Sequence, residues 1–174
     1  MDNSMPGVIV IISLIFIVIF LRNFTKSENN KNETGLISTI EIRVIDGDTI
    51  GYNSEIIRLH GIDAPEIGQQ CIENDKSIDC GTISKIFLDS IIDGREIDLI
   101  PKGKDKWGRI IGVCFIDGND ISEYMVKNGW AISYREFSSD YIEEEIHAHS
   151  NNLGIWSTKF SNPSEWRKNK RNRK

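Results

Sequence analysis

The chain has 174 residues, of which 39% are hydrophobic and 27% charged, so it can bury the core of one domain without a dense disulfide framework. Its net charge is −5, yet residues 167–174 hold six of the 21 basic residues and none of the 26 acidic ones. Because the body is acidic and only the end is basic, the protein is not expected to bind nucleic acid through its overall charge. Any phosphate must therefore contact a local cluster of basic residues or a metal ion.

An uninterrupted apolar segment, VIVIISLIFIVIFL, occupies residues 8–21 after a short polar N-terminus at residues 1–7. Together with the residues just before it, the segment reaches the lower limit of about 17 residues for a helix that crosses a bilayer. A removed signal peptide is the competing interpretation, but it would have a basic start and a small-residue cleavage site. We therefore expect one transmembrane anchor, followed by a polar linker at residues 22–35.

Two features point to opposite sides of the membrane for the rest of the chain. Arg22, Lys26 and Lys31 follow the apolar segment, and basic residues there favour the cytoplasmic side. Cys71 and Cys80 lie in one polar stretch, and a bond between them would suit an oxidising compartment, whereas no second Cys or His pair is spaced for zinc. We expect an extracytoplasmic domain.

The folded part is predicted to begin near Leu36 with three short strands and tight turns. Apolar residues alternate in ISTIEIRVID, which predicts the first strand. An Asp-Gly turn separates it from a second strand at residues 49–52, and an Asn-Ser turn separates the second strand from a third in EIIRLHGI. The later predicted elements are a helix over 82–92, strands in EIDLIP and IIGVCFI, a helix over 121–128, a short strand over 130–134 and a helix over 140–152. Cys114, inside IIGVCFI, is expected to be a buried free thiol.

Five short strands and about three helices predict an α+β domain over residues 36–160. A small closed barrel of the oligonucleotide-binding type is one such fold, and it leaves one face and its loops available for a ligand. The basic end at residues 161–174 is expected to be a solvated, disordered tail. The alternative is a non-specific handle on nucleic acid or anionic lipid.

Three short segments carry residues suited to phosphate chemistry. Asp48 and Asp63 lie near strand ends, where two carboxylates brought together would repel unless a cation lies between them, and oxygen ligands suit Ca²⁺. Glu66 is ionised at neutral pH and can accept a proton from water. Arg58 and Arg109 carry planar charged groups that match phosphate oxygens. The segments are VIDGDT (44–49), RLHGIDAPE (58–66) and DKWGR (105–109).

These three motifs, followed by NLGIW at residues 152–156, resemble the staphylococcal nuclease family in order and residue type. The resemblance covers about residues 36–160 and implies a five-stranded oligonucleotide-binding barrel with three helices. It also implies calcium-dependent hydrolysis of DNA and RNA that leaves 3′-phosphate ends, through metal-assisted activation of water. Single strands or frayed ends are the expected substrates, because a small barrel groove suits unstacked bases. The catalytic domain is expected to be monomeric.

The resemblance implies a role for each matching residue. The calcium ligands would be Asp48, Asp63 and the backbone carbonyl of Ala64, with Asp46 as an acid behind them. The catalytic residues would be Glu66 as general base, and Arg58 and Arg109 on the scissile phosphate. The substrate-binding residues would be Lys106, Trp107 in place of a tyrosine, and Tyr134 as the nearest aromatic to the family's stacking position. Family members with two cysteines after the APE motif look similar, which implies a Cys71–Cys80 disulfide.

Two other functions are compatible with this fold. Some domains of the family have lost their catalytic residues, so a non-catalytic nucleic-acid-binding module anchored at a membrane is the main alternative. A membrane-linked interaction scaffold is the second. The chain retains the acidic and basic residues together, which favours the enzyme.

Overall fold

The structure, a computed structural model, describes residues 41–173. The predicted anchor at residues 8–21 and the linker at residues 22–35 lie outside this range, and so does the predicted start at Leu36. Within residues 41–173, no helix is long and apolar enough to cross a membrane.

The described part of the chain is an α+β domain. Its strands are β1 (Ile42–Asp46), β2 (Thr49–Tyr52), β3 (Glu55–Leu59), β4 (Ile62–Asp63), β5 (Gln70–Glu73), β6 (Lys76–Asp79), β7 (Asp98–Lys104), β8 (Ile110–Ile116), β9 (Asn119–Asp120) and β10 (Ile132–Ser133). Its α-helices are α1 (Cys80–Ile92), α2 (Ile121–Lys127), α3 (Ile142–Ser150) and α4 (Pro163–Asn172), with a 3₁₀-helix at Gly154–Ser157.

The main sheet has six strands in the order β1-β2-β3-β8-β7, and β9 pairs with β8. β1, β2 and β3 form an antiparallel meander, and β3 then pairs in parallel with β8. The sequence anticipates the five main strands, whereas in the described residues β1 and β7 remain the edges of the sheet rather than pairing into a closed barrel. Pro101 fits this arrangement because proline lacks the N–H that an inner strand must donate, and a bulge follows it in β7.

Two small sheets hold the connections in place. β4 pairs with β10, which brings the end of the meander beside the chain that precedes α3. β5 and β6 form a hairpin whose turn residues Asn74 and Asp75 both have positive φ, as a two-residue hairpin turn requires. No strand was predicted in this polar stretch. A disulfide joins Cys71 in β5 to Cys80 at the first residue of α1, so the hairpin is fixed to the helix.

Local capping explains where the helices begin. Asp79 accepts a hydrogen bond from the backbone N of Thr82 at 3.0 Å, and α1 therefore starts two residues earlier than the 82–92 expected. Asp120 caps α2 by accepting from the backbone N of Ser122 at 2.7 Å. Gly61, with a φ of 74°, interrupts EIIRLHGI and divides it into β3 and β4.

The main core lies between the sheet, α1 and α2. Its largest fully buried side chains come from β2, β3, β4 and the helices; they are Ile50, Ile57, Leu59, Ile62, Leu88, Ile121, Met125 and Val126. Cys114 is buried and unbonded, as expected. A smaller cluster under the hairpin joins the disulfide to Ile132 and Ile155.

The expectation of a disordered basic tail is wrong. Residues 163–172 form α4, a fourth α-helix where about three had been expected. Asn162 caps it by accepting from the backbone N of Ser164 at 2.9 Å, and Pro163 occupies its first turn and is buried. Arg167 of this helix also forms salt bridges with Asp63 and Glu66, which reduces the mutual repulsion of the basic residues in the helix.

Candidate active site

Two buried aspartates mark the site: one lies inside the β1–β2–β3 meander and the other in the strand that follows it. Asp48 lies in the turn between β1 and β2 and is 2% exposed; Asp63 ends β4 and is fully buried. The turn packs so tightly that a Cβ on Gly47 would lie 2.1 Å from the Ser84 hydroxyl, so glycine is required there. Asp48 Oδ2 accepts from the backbone N of Ala64 at 2.8 Å, which ties the two acidic segments together.

Arg58 joins the two aspartates. One terminal nitrogen of its guanidinium donates to Asp48 and the other to Asp63 Oδ1, the latter at 2.8 Å. Burial of Arg58 lowers its pKa, but the negative charges of Asp48 and Asp63 outweigh that effect and raise it. Arg58 therefore stays charged, and its guanidinium holds the two buried carboxylates close to each other.

A second arginine, which sequence reasoning missed, bridges Asp63 to Glu66. Arg167 of α4 donates to both carboxylate oxygens of Asp63, at 2.9 and 3.0 Å, and to Glu66 Oε1 at 2.7 Å. Burial lowers the pKa of Arg167, but the hydrogen bonds that it donates to these two acids raise its pKa above the usual value. The helix-start residues Asn162-Pro163 were the available signal, because capping chemistry predicts a helix where charge alone suggested disorder.

Asp46 lies behind Asp48 and has an unusual protonation equilibrium. Its Oδ1 accepts from the backbone N of Asp48 at 3.1 Å. Burial, followed by the nearby charge of Asp48, raises the pKa of Asp46 to about 7. Asp46 therefore gains or loses its charge close to neutral pH.

The segment that carries Glu66 is held by close packing and a buried amide. A Cβ added to Gly81 would lie only 1.8 Å from the Glu66 carbonyl oxygen, so the start of α1 approaches this segment as only glycine allows. Gln69 is fully buried, and its Oε1 accepts from the Glu66 backbone N at 3.1 Å. The same amide donates to the Ser161 carbonyl at 2.7 Å, which links Glu66 to the chain entering α4.

The chemistry of this cluster is that of a cation site beside a carboxylate. Residues 41–173 contain no group of three or more His, Cys, Asp or Glu side chains placed to hold a metal ion. Two buried carboxylates are nevertheless hard oxygen donors of the kind that bind Ca²⁺, and the guanidinium of Arg167 shows that a positive group is accepted against Asp63 and Glu66. The donor set thus fits a divalent cation completed by backbone carbonyl, water or substrate oxygens.

Comparison with known proteins decides the family. A family model described as "Staphylococcal nuclease homologue" matches residues 56–158, more than half of the chain. The chain belongs to the staphylococcal nuclease family. The resemblance drawn from the motifs is therefore confirmed.

Three proteins illustrate what the chain is similar to. An "Uncharacterized endonuclease" of Haemophilus influenzae is 32% identical over 135 residues, covering 73% of this chain and 71% of the relative. The "Succinoglycan biosynthesis protein ExoI" of Rhizobium meliloti is 35% identical over 117 residues, covering 65% of this chain and 61% of the relative. A "Probable staphylococcal-like nuclease CAN1" of Oryza sativa subsp. japonica is 31% identical over 119 residues, covering 67% of this chain and 33% of the relative. The chain thus spans only part of the last two proteins, and the family as a whole supports a nuclease function.

Arg109, matched to a phosphate-binding arginine of the family, lies near the site without contacting its acids. It immediately precedes β8, in which Ile110 is in register with Ile57 of β3. Arg58 follows Ile57, so the alternation of side chains places both arginines on the same face of the sheet. Arg109 Nε donates to Asp105 Oδ2 at 2.7 Å.

The three residues expected to bind substrate lie in two places, the β7–β8 turn and the segment after β10. Lys106 and Trp107 lie in the turn between β7 and β8, where Trp107 is 71% exposed and the Lys106 ammonium lies 4.4 Å from its ring centroid. Tyr134 follows β10, and its backbone N donates to the Gly61 carbonyl at 2.8 Å. Ile132 of β10 pairs with Asp63, so Tyr134 follows a strand that lies beside the acidic cluster; burial, followed by the charge of Asp63, raises the pKa of Tyr134.

Proposed function

We propose that this protein is a Ca²⁺-dependent nuclease that hydrolyses phosphodiester bonds in both DNA and RNA and leaves 3′-phosphate ends. The observation that carries the proposal is the convergence of Asp48, Asp63 and Glu66 on two guanidinium groups, those of Arg58 and Arg167. Carboxylates that gather around positive groups on one surface can bind a metal ion and activate water beside a phosphate.

Asp48, Asp63 and the Ala64 backbone carbonyl would hold the calcium ion, with Asp46 as the acid behind them. When bound, the ion would supply positive charge to the phosphate oxygens. Asp46 is only about half ionised near neutral pH, because its pKa is raised to about 7 by burial and by Asp48. The remaining two aspartates provide the charge that favours a divalent cation over a monovalent one.

Glu66 is the group suited to accept a proton. Its side chain is 30% exposed, whereas Asp63 is fully buried, so water can reach Glu66 directly. The attacking water would transfer its proton to Glu66 while its oxygen bonds to phosphorus. The bond to the 5′ oxygen then breaks and that oxygen takes a proton from solvent water, which leaves a 3′-phosphate and a 5′-hydroxyl. Arg58 and Arg109 would stabilise the negative charge on the phosphate oxygens during this step.

The substrate would be a single strand or a frayed end. Tyr134 lies beside the acidic cluster and contacts Phe137 edge-on, with ring centroids 4.7 Å apart, which offers an aromatic surface for an unstacked base. Lys106 and Trp107 would contact a terminal phosphate and its nucleotide from the β7–β8 turn. A monomeric catalytic domain suffices for this arrangement, because all of these residues come from one chain.

Digestion of labelled single-stranded DNA and RNA by the full 174-residue chain tests the proposal. Cleavage with Ca²⁺, loss of cleavage in excess EGTA and recovery on adding Ca²⁺ back would support it, with 3′-phosphate ends identified by their resistance to 3′ extension until phosphatase is added. Binding without cleavage under all conditions would instead support the non-catalytic module.

We also propose that residues 8–21 anchor the protein in a membrane with the nuclease domain on the extracytoplasmic side. The disulfide between Cys71 and Cys80 supports this location, because such bonds persist in oxidising compartments. Protease added to intact cells should degrade the domain. Protection until the membrane is permeabilised would place the domain inside.

A further inference from the structure

A groove runs between Glu66 and helix α4. Its volume is about 280 Å³, and it is lined by Glu66, Trp166, Arg167, Lys170 and Arg171. Glu66 is the proposed general base, so the groove begins at the proposed site of cleavage and continues along the helix. None of the residues matched to the family's substrate contacts lines it.

The side of α4 that faces this groove differs from an ordinary packing surface. Residues 166, 167, 170 and 171 are spaced one and four apart, which places them on one face of a helix. That face carries one tryptophan and three bases and no aliphatic residue, so it is not built to cover an apolar core. Lys168 lies on the opposite side of the helix from Lys170 and is exposed.

Two of the bases in the groove have no acidic partner among the described residues. Arg167 is bonded to Asp63 and Glu66, whereas no salt bridge within residues 41–173 involves Lys170 or Arg171. Both side chains are exposed at the groove. Because the rest of the chain is acidic, this is a local positive surface of the kind that a phosphate-bearing ligand needs.

Trp166 adds a flat surface beside those charges. The indole is partly buried, and the Lys170 ammonium lies over its ring, 4.4 Å from the centroid, so a base that stacks there displaces the ammonium toward its own phosphate. An unstacked base can lie on an indole, and the phosphate attached to that nucleotide can then reach the neighbouring cations. An anionic lipid headgroup would use the bases but not the stacking surface.

We propose that this groove binds a single-stranded segment of the nucleic-acid substrate next to the scissile bond. One base stacks at Trp166, and the flanking phosphates contact Lys170 and Arg171. The inference rests on the proposed nuclease function and extends it, because it assigns part of substrate binding to α4. The helix then has two roles: Arg167 joins it to the acidic cluster, and its outer turn holds the strand.

Binding without cleavage provides the test. A fluorescently labelled single-stranded DNA of 12 nucleotides is titrated with the full chain in EDTA, and anisotropy is followed at several salt concentrations. Lys170→Gln, alone and together with Arg171→Gln, is compared with Lys168→Gln, which removes one positive charge from the side of the same helix opposite Lys170. Loss of both phosphate contacts in the double variant should reduce the slope of log K against log salt by about 1.4 and weaken binding roughly tenfold, Lys170→Gln alone should change the slope by about half as much, and Lys168→Gln should stay close to wild type.

A second variant tests the stacking surface. Trp166→Ala should weaken DNA binding roughly tenfold, while Trp166→Phe should retain most of it. Equal losses for Lys170→Gln and Lys168→Gln, or an unchanged salt slope for the groove pair Lys170→Gln with Arg171→Gln, would overturn the proposal. So would a groove pair that binds DNA normally but loses affinity for vesicles containing 30% phosphatidylserine, because that result would assign the groove to lipid.

Failure of this inference is distinguishable from failure of the nuclease function. If the wild-type chain cleaves DNA in Ca²⁺ while the groove variants bind DNA as wild type does, the groove inference fails alone. If binding depends on the groove but no cleavage occurs in Ca²⁺, the nuclease function fails and the binding site stands.

Discussion

Substituting Arg167 with glutamine is expected to destabilise the protein in the absence of metal ions. The arginine makes three hydrogen bonds to Asp63 and Glu66, and Asp63 is fully buried. A hydrogen bond to a charged group contributes roughly 1.5–3 kcal/mol. Arg167 is 30% exposed and Arg58 still pairs with Asp63 after the substitution, so screening and the remaining partner reduce the net loss to about 2 kcal/mol.

Thermal unfolding in excess chelator measures this loss. For a domain of roughly 130 residues, a change of about 2 kcal/mol corresponds to a fall in Tm of about 7 °C. If α4 instead opens locally, trypsin should cleave within residues 168–173 roughly 30-fold faster at an unchanged Tm, because cleavage follows the open population. Lys168→Gln, on the exposed side of α4, should leave both quantities near wild type. An Arg167→Gln protein with wild-type Tm and wild-type trypsin sensitivity would refute the role assigned to this arginine.

Three further predictions concern the framework of the site. Replacing Cys71 and Cys80 with serine should lower the free energy of unfolding by about 3 kcal/mol, because the bond closes a short loop with the cysteines nine residues apart; an unchanged denaturant midpoint would contradict this. Burial raises the pKa of Cys114 to about 12, so its thiol should stay protonated and resist iodoacetamide at pH 8.5 until the protein unfolds, and rapid alkylation of the native protein would oppose that. Gly81→Ala should displace the Glu66 segment and lower kcat at least tenfold with little change in KM, and a wild-type kcat would show that the close approach is unimportant.

Elements with strong local signals were predictable from the sequence. β2 and β8 have the predicted bounds because turn pairs flank β2 and an Asp-Gly turn closes the apolar run of β8. The acids and Arg58 were predictable because their motifs place them at strand ends, where the meander and the β4–β10 pairing bring Asp48 and Asp63 to the same arginine. Asp48, Arg58 and Asp63 lie close together in the sequence, although the β4–β10 pairing that supports Asp63 is a long-range contact.

Features that depend on distant contacts were not predictable in the same way. Arg167 lies more than 100 residues from Asp63 and Glu66, and nothing in the basic run distinguishes it from its neighbours. The open edges of the main sheet depend on whether β1 and β7 meet, which no local pattern specifies. The assignment of a disordered tail failed because charge density was weighed above the helix-capping signal of Asn162 and Pro163.

The most direct test of the account is the single-turnover rate of DNA cleavage in saturating Ca²⁺ for Glu66→Gln. The amide keeps the shape of the side chain and an acceptor for Arg167 but cannot take a proton at neutral pH. The rate should fall by roughly 10²–10⁴, while the affinity of Glu66→Gln for DNA in EDTA should stay near wild type. Glu73 is an exposed carboxylate on the hairpin, so Glu73→Gln should cleave at a rate near wild type. A Glu66→Gln protein that cleaves at the wild-type rate would contradict the claim that this carboxylate activates the attacking water.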